Sequence, residues 1–331
     1  MREPYGRSNP HADALRTLTL ASTKRMATIS GQATEYNNVV VVDPSGAGDY
    51  TTLTSALAGI TDASATNRYG VVMMPGIYTD KDIGLVDGVD IMALVPGTVL
   101  FQPTSSPSIA IFNRTDALTA GIQINGIQFE LDLYAYNRCC VALSYAGAMN
   151  ATFRNCRFVV PSGGSDGNYG VYLTLATSGA IVLDDCVIEQ NPTSVTSPAL
   201  YCYVNGATVI VSHCRMTVNG TATSSRVISV RGSGLSIYLS ELSGGEYAIA
   251  VPSSTATIAL ALTRMTANLG TDVTNTIEIP HNATNIAKPT TSHTGATTVY
   301  NSGQAVNIST TFDGYTLAQV VRALRDLGFL T

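Results

Sequence analysis

The sequence contains no tryptophan and little charge: 12% of its 331 residues are charged, and the formal net charge is −5. The 18 Lys and Arg residues are scattered, so no basic face of the kind that binds nucleic acid is expected. The hydrophobic 45% of the chain must be covered mainly by neutral Thr, Ser, Asn and Gly. Such a composition favours β-strands joined by tight turns, because Thr and Val prefer strands and Gly and Asn prefer bends.

Signals of several other protein classes are missing. No apolar run approaches the length of a membrane span, and residues 1–4 do not begin a signal peptide. We therefore expect a protein that is made in the cytosol and does not insert into a membrane. The six cysteines include no C-x-x-C pair, and the Gly-rich turn at residues 46–48 lacks the Lys of a phosphate-binding loop. Neither a metal site nor a cofactor is expected.

A repeat of nearly thirty residues runs through the middle of the chain. The segments 153–158, 183–188 and 211–216 each read apolar, polar, polar, Cys, variable, apolar, and their cysteines are 30 and then 28 residues apart. Residues 124–129 fit the same pattern with Gly126 in the Cys position, and residues 239–242 and 261–265 extend it more loosely. We interpret Gly126, Cys156, Cys186 and Cys214 as one internal column, in which the small apolar thiols pack rather than react.

A second ladder lies between these segments and shares their drifting period. It comprises residues 141–143, 171–173, 200–202, 227–229 and 248–250, at separations of 30, 29, 27 and 21 residues. A single coil cannot bury its inward side chains, whereas coils stacked about 4.8 Å apart pair each strand with its copies and bury a continuous core. The sequence therefore predicts an all-β fold, a right-handed parallel β-helix.

The ends of the repeat differ from its middle. A strand, a Gly-rich turn and a Thr-capped helix are predicted after residue 39, with Leu53, Ala56, Leu57 and Ile60 facing inward. The chain ends in a capped amphipathic helix that must dock on its own body or on copies of itself about a threefold axis. The predicted parts are an arm (1–38), an entrance with its capping helix (39–80), coils (81–270), an extended linker or small β-element (271–310) and the C-terminal helix (311–331). The apolar stripe of that helix comprises Leu317, Val320, Val321, Leu324 and Leu327.

Two segments resemble known families. Residues 43–53 and 71–78 are similar to the opening of pectin-lyase-like β-helix proteins, which include pectin methylesterases and phage tailspikes. In that superfamily the helix closes the N-terminal end of the solenoid, which agrees with the need to cover an open apolar stack. Residues 315–330 resemble the last residues of many phage virion proteins. Together these resemblances imply a tailed-phage appendage: a homotrimer located on the virion, whose arm contacts other virion proteins or folds back on its own solenoid.

Glycan cleavage by such a protein would need two carboxylates flanking the scissile bond. The candidates are Asp184, Asp185, Glu241, Glu189 and Asp166. Asp185 and Glu241 are predicted at equivalent positions two coils apart, about 10 Å along the axis, whereas the adjacent Asp184 and Asp185 would face opposite sides of a strand. The Asp, Gln and Arg phrases of pectin methylesterases are absent, and His213 is interpreted as a surface residue. No confident catalytic residue results.

The tyrosines suggest a different role. The chain has 16 of them, and Tyr172, Tyr201, Tyr203 and Tyr238 fall on repeat segments where they could form an outward stripe. Tyrosine combines a flat apolar ring with a polar tip, which suits it to sugars or to a protein interface, although such rings also simply cover a solenoid's flank. We expect a structural or adhesive virion protein (tail spike, fibre or capsid decoration) that contacts other subunits or host glycans. The alternatives are a glycan depolymerase or lyase with an inter-subunit active site, and a bacterial surface carbohydrate-binding module.

Overall fold

The computed structural model describes residues 36–278, together with 311–312 and 315–316. Within 36–278 the description omits residues 37, 106, 108, 132–137, 162–167, 192–197, 220–225, 232–233, 245–246, 252–256, 262, 266–267 and 272–275. Most of the predicted arm (1–38), most of the predicted linker (271–310), Asp166 and the apolar stripe of the C-terminal helix therefore lie outside the described residues. Asn38, at the end of the predicted arm, already belongs to the first strand.

Almost all described strands belong to three parallel sheets. The ten-stranded first sheet comprises β1 (Asn38–Val42), β2 (Tyr69–Met73), β5 (Val89–Ala93), β8 (Leu118–Asn125), β11 (Met149–Arg154), β14 (Ala180–Asp184), β17 (Thr208–Ser212), β20 (Gly234–Tyr238), β23 (Thr257–Ala261) and β26 (Thr276–Glu278). The eight-stranded second sheet comprises β3 (Gly76–Tyr78), β6 (Val99–Phe101), β9 (Ile127–Glu130), β12 (Arg157–Val160), β15 (Val187–Gln190), β18 (Arg215–Val218), β21 (Glu241–Gly244) and β24 (Arg264–Met265). The eight-stranded third sheet comprises β4 (Ile83–Gly84), β7 (Ala110–Arg114), β10 (Cys139–Ser144), β13 (Tyr169–Thr174), β16 (Leu200–Tyr203), β19 (Arg226–Arg231), β22 (Tyr247–Val251) and β25 (Asn268–Thr271).

Each coil contributes one strand to each sheet in turn, and each strand pairs with its counterparts in the preceding and following coils. This arrangement confirms the predicted fold class, a parallel β-solenoid. The chain divides into two units, residues 1–288 and 289–331. In the second unit, β27 (Thr311–Phe312) and β28 (Tyr315–Thr316) form an antiparallel pair.

The helix α1 (Leu53–Gly59) lies where the sequence predicts a cap. The Thr52 hydroxyl accepts a hydrogen bond from the Ser55 amide, and a carboxylate oxygen of Asp80 accepts one from the Leu53 amide at 2.7 Å. Its inward face, the predicted Leu53, Ala56, Leu57 and Ile60, is buried against the first coils.

The core is a continuous column of inward side chains. In the second sheet, Tyr78, Phe101, Phe129 and Phe158 follow one another in register, with ring centroids 5.3, 5.9 and 5.2 Å apart and interplanar angles of 27°, 17° and 3°. Each of these rings is at most 3% exposed. Parallel in-register pairing stacks like positions at the spacing of the coils, so the aromatic rings become a ladder.

A one-residue bend joins the first and second sheets in successive coils. Its residue adopts a left-handed backbone conformation, which only Gly, Asn and Asp adopt readily. The five described bend residues and their φ angles are Gly126 (75°), Asn155 (51°), Asp185 (53°), His213 (53°) and Leu239 (48°).

The bend corrects the predicted position of Gly126. The register places Gln128 opposite Arg157, so Gly126 stands opposite Asn155, and Ile127 stands opposite Cys156. The prediction of Gly126 in the Cys position was wrong by one residue. The conformational freedom of Gly126 allows the left-handed backbone of the bend, whereas the next position, occupied by Ile127, needs an apolar side chain.

The internal column after the bend contains Cys156, Cys186 and Cys214, each at most 2% exposed. Their thiols lie close to backbone carbonyl oxygens of the preceding coil: Cys186 Sγ is 3.4 Å from Phe153 O, and Cys214 Sγ is 3.3 Å from Leu183 O. The hydrogen bond with the Cys156 thiol and burial keep the pKa of Cys186 well above its ordinary value, so Cys186 is a neutral packing group.

The second predicted ladder needs a similar correction. Leu200 pairs with Ile228, and Ile228 with Ile249, so the segments 227–229 and 248–250 were both placed one residue early. Both Val227 and Ile228 are buried, and hydrophobicity alone does not distinguish them.

Candidate functional site

Four tyrosines gather on the outer face of the third sheet. Tyr169 and Tyr172 lie on β13, and Tyr201 and Tyr203 lie on β16, where they alternate with the buried Leu200 and Cys202. Because neighbouring residues of a strand point to opposite faces, Tyr172, Tyr201 and Tyr203 are directed away from the core. Tyr169 departs from this alternation, since Gly170 and Val171 are both buried, and its ring contacts place it on the same outer face. We call Tyr169, Tyr172, Tyr201 and Tyr203 the tyrosine platform.

The platform is held together by ring contacts. Tyr172 and Tyr201 are in register and stack with centroids 5.0 Å apart and planes 10° apart. Tyr169 leans on both, at 5.1 Å from Tyr172 and 5.5 Å from Tyr201, with tilts of 44° and 54°. Since Tyr172 and Tyr201 cover each other's faces, they present ring edges and hydroxyl groups to a ligand.

Small side chains support the platform from the preceding coils. Ala110, Cys139 and Ala142 are at most 5% exposed although they belong to the outer face, and Tyr169 and Tyr172 pack against them. Burial and neighbouring phenols raise the pKa of Tyr169 to about 12 and also raise that of Tyr172. The hydroxyls of Tyr169 and Tyr172 are therefore neutral at physiological pH.

Tyr238 does not belong to this surface. It lies on β20 in the first sheet and is 38% exposed. The structure therefore brings together Tyr172, Tyr201 and Tyr203 from the predicted stripe and adds Tyr169, which the sequence did not single out as a site residue.

A second cluster forms beside the bend around Asp184. Its Oδ1 accepts a hydrogen bond from Ser212 Oγ at 2.7 Å and lies 3.3 Å from His213 Nδ1, while Arg154 Nε lies 3.4 Å from Oδ2. Partial burial raises the pKa of Asp184, but the hydrogen bonds from Ser212 and His213 and the charge of Arg154 outweigh it, so the pKa falls below its ordinary value. We call these four residues the bend cluster.

The bend cluster contains the residue types of a catalytic triad without its connectivity. In a triad the hydroxyl bonds to the imidazole, whereas the Ser212 hydroxyl donates to Asp184. His213 is exposed, as predicted, yet its Nδ1 faces Asp184 of the preceding coil. The repeat held this signal, because Ser212 and His213 occupy the positions that Asp184 and Asp185 occupy one coil earlier.

Comparison with solved structures identifies the fold. The chain is similar to a pectin methylesterase from carrot, with 15% sequence identity, a TM-score of 0.52, and coverage of 74% of this chain and 83% of that one. It is also similar to the pectin methylesterase PemA from Erwinia chrysanthemi, with 11% identity, a TM-score of 0.47, and coverage of 70% and 79%. No protein-family model and no curated protein sequence matches the chain.

The chain has the right-handed parallel β-helix fold of pectin methylesterases. At this level of identity the likeness establishes the fold and leaves the chemistry to the residues of this β-helix.

The predicted equivalence of Asp185 and Glu241 is wrong. Asp185 occupies the bend, opposite His213, whereas Glu241 begins β21 in the second sheet, opposite Arg215. Spacing along the sequence does not show on which side of the bend each of these residues lies. Asp184 and Asp185 likewise do not share a strand, because β14 ends at Asp184.

The second sheet carries a network of opposite charges beyond the bend. Arg157 Nη2 donates to Glu189 Oε2 at 2.6 Å, and Arg215 Nη2 lies 3.5 Å from Glu189 Oε1. Glu189, a weaker sequence candidate, is therefore paired on both sides. Such partly exposed pairs stabilise a protein only slightly.

The described part of the chain lacks two further features, a metal-ligand cluster and a membrane-spanning helix. Within it, no cluster of three or more His, Cys, Asp and Glu side chains could hold a metal ion. In the same residues, no helix is long and apolar enough to cross a membrane.

Proposed function

We propose that the chain is a non-catalytic structural or adhesive β-helix protein of a phage particle, and that its tyrosine platform contacts host-surface glycans. The observation that carries the proposal is the platform itself: three of its four tyrosine rings, those of Tyr169, Tyr172 and Tyr201, are in mutual contact on an outer face and are supported by buried small residues. Its hydroxyls can exchange hydrogen bonds with sugar hydroxyls, and its ring edges offer apolar contact.

The surroundings of the platform support binding over hydrolysis. In their described residues, none of the strands of the third sheet contains Asp or Glu, so these strands provide no carboxylate pair beside the platform. Glycoside hydrolysis generally requires such a pair. A row of phenol groups on strands without carboxylates suits the binding of a glycan better than its hydrolysis.

The phage assignment comes from the sequence. The resemblance of residues 315–330 to the ends of virion proteins supports it, as does the low charge of the chain. Under this proposal the chain is a homotrimer located on the virion, and its N-terminal arm contacts other virion proteins. Sedimentation of the full chain would contradict the trimer if it showed only monomers at high concentration.

The glycan contact can be tested by binding of the full chain to arrays of bacterial capsular polysaccharides and lipopolysaccharides. The double substitution Tyr172→Ala/Tyr201→Ala should weaken binding about tenfold or more, since each aromatic contact contributes roughly 0.5–1.5 kcal/mol. Tyr238→Ala, which removes an exposed tyrosine of the first sheet, should leave binding unchanged. Equal binding by the double variant and the original chain would refute the proposal.

A glycan-modifying enzyme is the second candidate, and the bend cluster favours it. Asp184 faces Nδ1 of His213, which leaves Nε2 free to accept a proton. The carrot neighbour is named a pectin methylesterase, a carbohydrate-active enzyme.

The enzymatic candidate predicts that the full chain releases reducing sugar or acid from host polysaccharides, and that Asp184→Asn abolishes this release. Substitution of the exposed Asp185 by Asn is the matched control and should change nothing. If neither product forms over a panel of capsules and lipopolysaccharides, this candidate is rejected and the binding function stands.

A further inference from the structure

A bulge interrupts the regular coils in the first sheet. β8 pairs with β11 through Leu118 opposite Met149 and Ile122 opposite Ala151, so residues 119–121 stand opposite Asn150 alone and β8 carries two additional residues. Bulges redirect a strand and often border functional sites.

The bulge is held rigidly by Asp87. Its Oδ2 accepts hydrogen bonds from Thr119 N at 3.0 Å, Thr119 Oγ1 at 2.9 Å and Ala120 N at 3.0 Å, and its Oδ1 accepts one from Gly121 N at 2.9 Å. Four hydrogen bonds to one carboxylate fix this short segment far more firmly than a surface loop requires.

Arg68 holds the bulge from the other side. Its Nη1 donates to Ala120 O at 2.7 Å, and its Nη2 donates to Asp90 Oδ1 at 2.6 Å and to Gly121 O at 3.3 Å. The Asp90 side chain is 1% exposed and that of Arg68 is 16% exposed. Burial raises the pKa of Asp90, and the charge of Arg68 opposes this effect. A buried ion pair is costly to form, so its presence beside the bulge needs a reason.

An open groove of about 490 Å³ lies between the bulge, Arg68 and the following coils. Gln123, Thr152 and Val182 stand in one outward column along its floor, and Asn150 is fixed beside it by bonds to Thr119 O and Ala180 N. The volume falls in the range of about 300–1,000 Å³ typical of small-ligand sites.

The polar side chains of the groove differ in whether they have hydrogen-bond partners within the protein. The side chains of Gln123 and Thr152 form no hydrogen bond with other described residues. Asp90 is not part of the lining: its carboxylate accepts hydrogen bonds from Arg68 and the Gln123 backbone amide, and Tyr36 also bonds to it. The side-chain amide of Gln123 and the Thr152 hydroxyl are therefore available to a ligand in the groove.

We propose that this groove binds a neutral sugar residue. Its one ionisable lining residue is Arg68, whose charge is already compensated by Asp90, so a charged ligand gains no partner. Gln123 offers a donor and an acceptor and Thr152 a hydroxyl, which match the hydroxyls of a pyranose. Val182 and Ala180 provide an apolar surface for the CH face of the ring. The site lies on the first sheet and does not depend on the tyrosine platform.

The test is saturation-transfer NMR and titration of the full chain with methyl β-galactoside, methyl β-glucoside and sodium glucuronate. A neutral glycoside should bind, and Thr152→Val and Gln123→Ala should each weaken its binding roughly 2- to 10-fold, the contribution of one hydrogen bond. Ser236→Ala is the matched control, because it removes a hydroxyl from the same outer column two coils beyond Val182. It should have no effect.

A bulky substitution gives a second readout. Ala180→Tyr should fill the groove and abolish glycoside binding while thermal unfolding stays cooperative. The proposal is overturned if neither neutral glycoside binds, if glucuronate binds more tightly than both, or if Ser236→Ala weakens binding as much as Thr152→Val. The double substitution Tyr172→Ala/Tyr201→Ala should leave glycoside binding in the groove intact. The groove proposal and the platform proposal can therefore fail independently of each other.

Discussion

Two aromatic stacks in this β-helix arise from the same geometry on opposite faces of its coils. Inside, Phe129 and Phe158 stack with centroids 5.2 Å apart and planes 3° apart. Outside, Tyr172 and Tyr201 stack with centroids 5.0 Å apart and planes 10° apart. In-register parallel pairing superposes equivalent residues on either face, so a stack by itself does not indicate function.

The difference lies in what surrounds each stack. The inner column continues beyond Phe158 as Ile188, Met216 and Leu242, since a core accepts any apolar residue of suitable volume. The outer stack stops abruptly, with Ala142 before Tyr172 and Ser229 after Tyr201. A short aromatic cluster confined to two coils suits a binding site better than it suits a general covering of the solenoid.

The largest effect on stability is expected from a substitution that breaks the inner stack. Phe158→Ala should lower the free energy of unfolding by roughly 3–5 kcal/mol, because it opens a cavity among fully buried rings. Urea denaturation followed by circular dichroism measures the loss. Val159→Ala, at the neighbouring outward position, is the control and should change stability by less than about 0.5 kcal/mol. A Phe158→Ala chain within 1 kcal/mol of the original would contradict the role of this column.

A smaller loss is expected when the outer stack is broken. Tyr201→Ala removes a half-exposed ring and one stacking contact, so stability should fall by about 1 kcal/mol, measured by the same urea titration. Tyr238→Ala, which deletes a ring outside the platform, should cost less. If Tyr201→Ala were as damaging as Phe158→Ala, the platform would be part of the structural core, and its assignment as a binding surface would lose its basis.

The smallest effect is spectroscopic and concerns the protonation of the platform. The pKa of Tyr169 is raised to about 12, so a near-ultraviolet titration should show a phenol that ionises well above pH 10 and is missing in Tyr169→Phe. The folded state holds this proton more tightly than the unfolded state, so the stabilisation is complete below pH 10 and is lost as the pH rises through about 12.

Tyr201→Ala should move this ionisation towards the ordinary tyrosine value, because it exposes Tyr169 and removes a neighbouring phenol. A Tyr169 that titrates normally in the folded chain would show that the platform is open to solvent rather than packed.

The repeat predicted more of the fold than of the sites. Cys156, Cys186 and Cys214 revealed the coil length, because a buried column tolerates few residue types and leaves a periodic record. The register was predicted less well. Gly126 was assigned to the Cys position although it occupies the bend, and residues 227–229 and 248–250 were placed one position early because adjacent buried positions of a strand differ little in hydrophobicity. The repeat places Ser212 and His213 at the positions of Asp184 and Asp185 one coil earlier, but outer-face residues vary from coil to coil, so the sequence alone did not show that Asp184 and His213 pair.

The sequence by itself determined that the chain coils, that Cys156, Cys186 and Cys214 face inward and where a helix covers the first coil, because burial restricts residue choice at regular intervals. Only the tertiary structure decided which outward residues meet. Tyr169 joins Tyr172 and Tyr201, His213 reaches Asp184 one coil away, and Arg68 clamps a bulge some fifty residues later in the chain. Those contacts depend on the register between coils and on which side of each bend a residue lies, and solvent-facing positions record neither in their hydrophobicity.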